Sequence, residues 1–179
     1  MSFAGTFEVV RPGGASLQFF AMKCVTKGRD DVVDNKDDQF QYWLMDMHDA
    51  IQRFRDGADL NDRESLDKSH ESLIRLEAML LARYSSPEAA RAMEHAAYMD
   101  GAARYLGETL RRQLGGKWFI NNIDEKNVFF GLPQLKEVAG QQTQLCPLTL
   151  VSATLDRRKG DYLFTIMANL IANDRRSLP

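Results

Sequence analysis

The segment Tyr105-Leu106-Gly107-Glu108-Thr109-Leu110-Arg111-Arg112-Gln113-Leu114-Gly115-Gly116-Lys117-Trp118 constrains the fold more than any other part of the chain. It reads as the end of a long helix, a two-glycine stop and an aromatic entry into a sheet. Glycine takes the left-handed backbone at little cost, so Gly115 or Gly116 is expected to hold a positive φ. The helix before this stop opens with Ser86 as cap and Pro87 at the first helical position, and runs to Leu114. Small residues fill it: Ala89, Ala90, Ala92, Ala96, Ala97, Gly101, Ala102, Ala103 and Gly107. An interior glycine costs about 1 kcal/mol relative to alanine, so a close approach by another element is the physical reason to keep it. The helix is therefore placed centrally.

Two more helices precede it. Phe40, Trp43, Leu44, Met47, Ile51 and Phe54 recur at spacings of three and four, which puts them on one face, and Gly57 supplies a stop. The next is expected to start at Asn61, whose side chain can cap the Glu64 amide while the Glu64 carboxylate reaches back. Leu66, Leu73, Leu76 and Leu80, with Ile74 and Leu81, form its apolar side.

After Gly116 the period of 3.6 gives way to short β-rich runs. Trp118 to Ile120 and Val128 to Phe130 read as strands, with turns at Asn121-Asn122 and Asp124 to Asn127, and Gly131-Leu132-Pro133 breaks the second run. Phe7 to Val10 is a further strand candidate before the Arg11 to Gly14 turn. Leu17 to Val25 fits either a return strand or a short helix. Leu148 to Leu155 fits a third strand or a short helix, and Tyr162 to Asn173 reads as a terminal helix. The expected class is α+β: three N-terminal and central helices packed on a small, mainly antiparallel sheet, with a C-terminal helix. A single domain is expected over residues 1–179, with 27–38 an exposed loop and 174–179 a polar tail.

Composition narrows the function classes. A chain of 179 residues, 44% hydrophobic and 27% charged, suits one ordinary core. Its formal charge of −2 excludes a strongly basic nucleic-acid coat, though not a local basic patch. Cys24 and Cys146 are too few for a disulfide framework and read as buried thiols in a reduced interior. Met1 to Thr6 has no basic head followed by an apolar stretch, so no signal peptide is legible there. The apolar run from Tyr162 to Ile171 is far shorter than the ~18 residues of a membrane span, which makes the cytoplasm the expected compartment.

Tyr105 to Glu108, then Gly115, Gly116 and Trp118, resemble the helix-to-sheet motif of bacterial DUF3806-like proteins. Pro147, Val151 and Leu155, followed by Gly160 to Leu163, resemble the segment that follows the sheet in that group. The resemblance covers residues 86–170 and leaves the N-terminal third unplaced. It implies a bacterial α+β protein and carries no activity onto named positions. Through relatives among toxin–immunity genes it also implies a role in binding another protein, of an immunity-like kind.

Chemistry-bearing residues are sparse. Glu108 stands three and four residues before Arg111 and Arg112. It can act as a general acid or base flanked by these arginines as anion clamps, or as an ion pair that steadies the last turns of the helix. His48, His70 and His95 fall on different predicted helices with no metal-ligand spacing; surface or core-edge positions are expected, and His48, which follows Met47, suits the core edge better than a ligand role. Ser152 lacks the glycines of a nucleophile elbow, and neither glycine pair has the spacing of a phosphate loop. No cofactor or metal is called for. Arg111, Arg112 and Lys117, or Arg157 to Lys159, would suit nucleic acid if they converged. Asp156 and Asp161 offset the second group, however, and Trp118 is expected in the core. The acidic Asp30, Asp31, Asp34, Asp37 and Asp38 suit docking against a basic protein, or else form a solubilising loop. A protein partner is the leading expectation, with a small-molecule enzyme using Glu108 and Arg111 or Arg112 as the alternative.

Overall fold

The computed structural model describes residues 36–142 and 144–177, with side chains as far as Asp174. The candidate strand Phe7 to Val10, the Leu17 to Val25 segment, Cys24, Asp30, Asp31 and Asp34 lie outside the described residues. Among those described the fold is mostly helical, with eight α-helices and one two-stranded antiparallel sheet.

The three expected helices are each interrupted. The first divides into α1 (Lys36–Met45) and α2 (Met47–Asp56) at Asp46, where φ is −80° and ψ is 2°. The Ala50 amide still donates to the Asp46 carbonyl across the bend, so one apolar face survives. Phe40, Trp43, Ile51 and Phe54 are buried on it. Residues 36–38 therefore belong to the first turn of α1 and not to an exposed loop. Asp37 and Asp38 sit there at the helix start, where the helix dipole favours a negative charge.

The second helix is capped two residues earlier than expected. Asp59 caps α3 (Leu60–Ser65) by accepting from the Asp62 amide at 2.9 Å, which leaves Asn61 inside the helix and the Asn61–Glu64 capping box unformed. A bend at 66–71 then separates α3 from α4 (Ser72–Arg83). Lys68 adopts a φ of 65°, and the Asp67 carboxylate accepts from the Ser69 amide at 2.8 Å. Such side-chain bonds compete with the helical ladder and end it locally. Leu66, Leu73, Leu76 and Leu80 are buried as expected, while Ile74 is exposed.

Ser86 caps α5 (Pro87–Ala90) with Pro87 in its first turn, but a 3-10 turn at Met93–His95 intervenes before α6 (Ala96–Leu114). This last helix is the spine of the fold. A Cβ on Gly101 would lie 2.6 Å from the Phe54 Cβ, and one on Gly107 would lie 2.2 and 2.3 Å from carbons of the Trp118 ring. The glycines thus admit an aromatic residue from α2 and another from the sheet. Gly115 and Gly116 both hold positive φ, 73° and 102°, and the chain leaves the helix there.

The sheet pairs β1 (Lys117–Ile120) with β2 (Pro133–Lys136), Trp118 facing Leu135. Val128 to Phe130 forms turns and no strand, because the Asn127 carboxamide oxygen accepts from the Phe129 amide at 2.9 Å and folds the backbone back. Pro133 opens β2 where a breaker was expected. A strand's first residue is a position that tolerates a missing donor. Leu135 exchanges both backbone bonds with Leu145 on its other side, at 2.7 and 2.9 Å.

The segment after Pro147 resolves as a helix, α7 (Pro147–Arg157), and α8 (Tyr162–Ser177) absorbs most of the expected polar tail. Two buried-edge contacts tie α4 to these helices. The fully buried Glu77 carboxylate accepts from the Gly160 and Leu163 amides, at 2.7 and 2.9 Å, at the start of α8. Arg158 donates to the Leu81, Tyr84 and Ser85 carbonyls at the end of α4. Each helix end thereby finds partners for groups that its own ladder leaves open. One continuous core runs from Ile51 and Phe54 through α4 and α6 to Leu170.

A Gly107→Ala substitution is expected to displace the Trp118 ring and cost about 1–3 kcal/mol. Urea denaturation followed by tryptophan fluorescence measures it; an unchanged midpoint would show that the ring moves aside without cost.

Candidate functional site

The residues of α6 at 100, 104, 107, 108 and 111 follow helical spacing and line one stripe of the helix. Glu108 is on this stripe, its side chain 18% exposed. One carboxylate oxygen accepts from the Trp118 Nε1 at 2.7 Å and from the Arg111 Nε at 2.9 Å; the other is 3.4 Å from an Arg111 terminal nitrogen. Arg112 does not join them. Its guanidinium lies 3.5 Å from the Asp67 carbonyl, across the bend between α3 and α4. The sequence trio therefore divides, with Arg111 at Glu108 and Arg112 elsewhere.

Trp118 is the partner that sequence reasoning missed by assigning it to the core. The available signal was Gly107 itself: a glycine beside Glu108 marks where a large ring needs room. The Trp118 ring meets that of Trp43 edge-on, with centroids 5.0 Å apart. Trp43 in turn donates through its Nε1 to Asp100 at 2.9 Å. The buried Arg104 donates to Asp100 and to the Trp43 carbonyl, both at 2.6 Å, and its guanidinium stands 4.2 Å from the Trp43 ring centre. Arg111, Glu108, Trp118, Trp43, Asp100 and Arg104 thus form one polar and aromatic seam joining α6 to β1 and α1.

What the seam can do chemically is limited by its own bonds. Both Glu108 oxygens already face donors, Oε1 two of them and Oε2 one at 3.4 Å. A shallow, open hollow of about 430 Å³ lies over the bend between α3 and α4, lined by Asp67, Ser69, Glu71, Ser72 and Arg75 among others; Glu108 does not line it. Beneath that bend the Tyr105 hydroxyl donates to the Ser72 Oγ at 2.7 Å and accepts from the Lys68 amide at 2.9 Å. Burial pushes the Tyr105 phenol above its ordinary range, which keeps it a neutral donor.

The histidines stand apart. His48 is exposed on α2, away from the expected core edge. The His70 ring stacks on Phe164 at 3.8 Å, its Nε2 lying 2.8 Å from the Phe164 carbonyl, and His95 meets the Tyr84 ring edge-on. Among the described residues no group of three or more His, Cys, Asp or Glu is arranged to hold a metal ion. Cys146 is buried, and desolvation pushes its thiol up to about 11, away from the thiolate a nucleophile needs.

The second place of interest is the solvent side of α1. Asp37 and Asp38 are exposed in its first turn, and Asp37 accepts from the Asn122 Nδ2 at 3.0 Å. Asp38, Tyr42 and Met45 stand at helical spacing on the outer face, Tyr42 64% and Met45 79% exposed. Tyr42 and Met45 escaped the sequence reading because they flank the apolar stripe without belonging to it.

No helix among the described residues is long and apolar enough to cross a membrane. No protein-family model matches the chain, and no curated protein or solved structure matches it significantly.

Two outcomes test this geometry. Glu108→Ala, which removes the acceptor, is expected to lose about 1 kcal/mol, and a double-mutant cycle with Trp118→Phe should show positive coupling of similar size; additivity would mean the Trp118–Glu108 bond contributes nothing. In a Cys24→Ser background, Cys146 should resist thiol reagents at neutral pH until the chain unfolds. Its folded-state value is raised from 9.0 to about 11, so the stability it supports is present below pH 9 and falls as pH rises through 11. Rapid labelling of folded protein would contradict the burial.

Proposed function

We propose that this chain acts by binding another protein through the outer face of α1. The observation that carries the reading is the pair Tyr42 and Met45, two large apolar side chains held in solvent one turn apart and preceded by Asp37 and Asp38. Tyrosine and methionine are enriched where proteins meet, since tyrosine offers broad contact at modest entropic cost and methionine a polarisable surface that adapts to its partner. Acidic neighbours favour a partner with a basic face and exclude acidic surfaces. An immunity-type inhibitor, blocking a basic enzyme domain, is one form this role takes, and kinship with DUF3806-like proteins through Tyr105 to Glu108, Gly115, Gly116 and Trp118 belongs to the same proposal. Asp30 and Asp31, outside the described residues, would extend the acidic run. The chain is placed in the bacterial cytoplasm on the same footing.

The enzyme alternative through Glu108, Arg111 and Arg112 draws less support. The Glu108 carboxylate is engaged by Trp118 and Arg111, and Arg112 faces a different element.

Affinity capture from the native cell with the intact chain and with a Tyr42→Ala/Met45→Ala variant tests the proposal. A specific protein should be retained by the first, released as salt rises, and lost from the second while its thermal midpoint is unchanged. Equal retention by both forms, or a small-molecule activity that disappears in Glu108→Gln, would overturn it.

A further inference from the structure

The loop between β1 and β2, residues 121–132, presents Ile123 with 95% of its surface exposed and Val128 with 62%. Lone apolar residues on a surface are ordinary. This one differs in the backbone that carries it. The Asn121 side-chain oxygen accepts from the Ile123 and Asp124 amides, at 3.1 and 2.9 Å. The Asp124 carboxylate accepts from the Lys126 amide at 3.0 Å, and the Gly131 amide closes the base onto the Asn121 carbonyl at 2.8 Å. Asn127 then ties the descending limb to Gln144 at 3.0 Å. The loop is fixed by its own side chains, and a β-branched residue stands at a turn where polar or glycine residues usually do.

Its surroundings carry a sign. Asn122 donates to Asp37 and so holds the loop against the first turn of α1. The segments 36–38 and 121–131 together carry Asp37, Asp38, Asp124 and Glu125 with Lys36 and Lys126, four acids to two lysines. Lys36 lies 5.4 Å from the centre of the Phe130 ring, directed onto the loop itself. The tip is thus an apolar point with an acidic rim made by Asp124 and Glu125, its neighbours in the chain, and by Asp37 through the Asn122 bond.

We infer that this loop is a preformed docking element that seats Ile123 in an apolar pocket on a basic partner protein. The inference rests on the protein-binding reading of α1 and extends that surface across the Asn122–Asp37 bond. A loop already ordered before contact forfeits little conformational freedom on binding, so its burial converts more fully into affinity. An apolar anchor ringed by charge also fits the pattern in which a few central side chains dominate an interface. The acidic rim selects the partner's sign and speeds encounter at low salt.

The test places a photo-cross-linking amino acid, p-benzoylphenylalanine, in the full chain at position 123, at position 42 and at the exposed position 97, in the native cell. Position 123 is expected to cross-link a lysine- or arginine-rich segment of a second protein that position 97 does not reach. With that protein purified, Ile123→Asp and Asp124→Lys/Glu125→Lys should each raise the Kd at least about tenfold while the thermal midpoint stays unchanged. Cross-linking at 123 only to residues 1–35 of the same chain, to a second copy, to nucleic acid or to nothing beyond the position 97 background would overturn the inference. So would an unmoved Kd. If position 42 finds the partner and position 123 does not, the loop inference fails and the α1 reading stands; if neither does, both fail.

Discussion

The edge of the Trp118 ring occupies the space that a side chain at position 107 would fill, and this contact sets the relation between helix and sheet. It brings β1 against the spine helix α6 within side-chain reach of Glu108, and it leaves the ring in T-shaped contact with Trp43 on α1. Asp100 and Arg104 then fix Trp43 from the same helix. A larger residue at 107 would move the ring, and with it the hydrogen bond to Glu108 and the seat of α1. The two positive-φ glycines that follow are needed for the same reason: the chain must reverse within two residues to bring Trp118 back over its own helix.

Much of this was legible in sequence where the chemistry is local. Gly115 and Gly116 as a stop, Ser86 and Pro87 as a start, and the small residues of α6 as a close-packing face all depend on neighbours within a few positions. The break between α3 and α4 was hidden because it arises from competition between the ladder and particular side chains. At Asp67 and Ser69 that competition wins, aided by Lys68 in a left-handed backbone that its residue type does not announce. The second strand was misplaced for a related reason. Val128, Phe129 and Phe130 have high β propensity, yet Asn127 turns them, while Pro133 reads as a breaker and yet begins the strand.

For the candidate site the same division holds. Arg111 could be assigned to Glu108 from spacing along the helix, and it is there. Arg112, one residue on, points to another element, a choice that depends on where the bend between α3 and α4 lies. Trp118 reaches Glu108 only through the tertiary reversal. Tyr42, Met45 and Ile123 became visible as a surface only when burial separated them from apolar residues of the same type. Asn122 and Asp37, 85 positions apart, then join two exposed segments into one acidic and apolar face.

The exchange of end groups between α4 and the α7–α8 connection has a consequence for how the molecule opens. Glu77 holds amides at the start of α8, and Arg158, just before that start, holds carbonyls at the end of α4. Neither end can fray without exposing groups belonging to the other, since a departing Glu77 strands two donors and a departing Arg158 strands acceptors. Helix termini are ordinarily the first places a protein breathes. Here two of them are bound into a single cooperative unit. Amide hydrogens at Gly160, Leu163 and Tyr84 then belong with the interior in their exchange behaviour, far slower than their positions at chain turns would suggest.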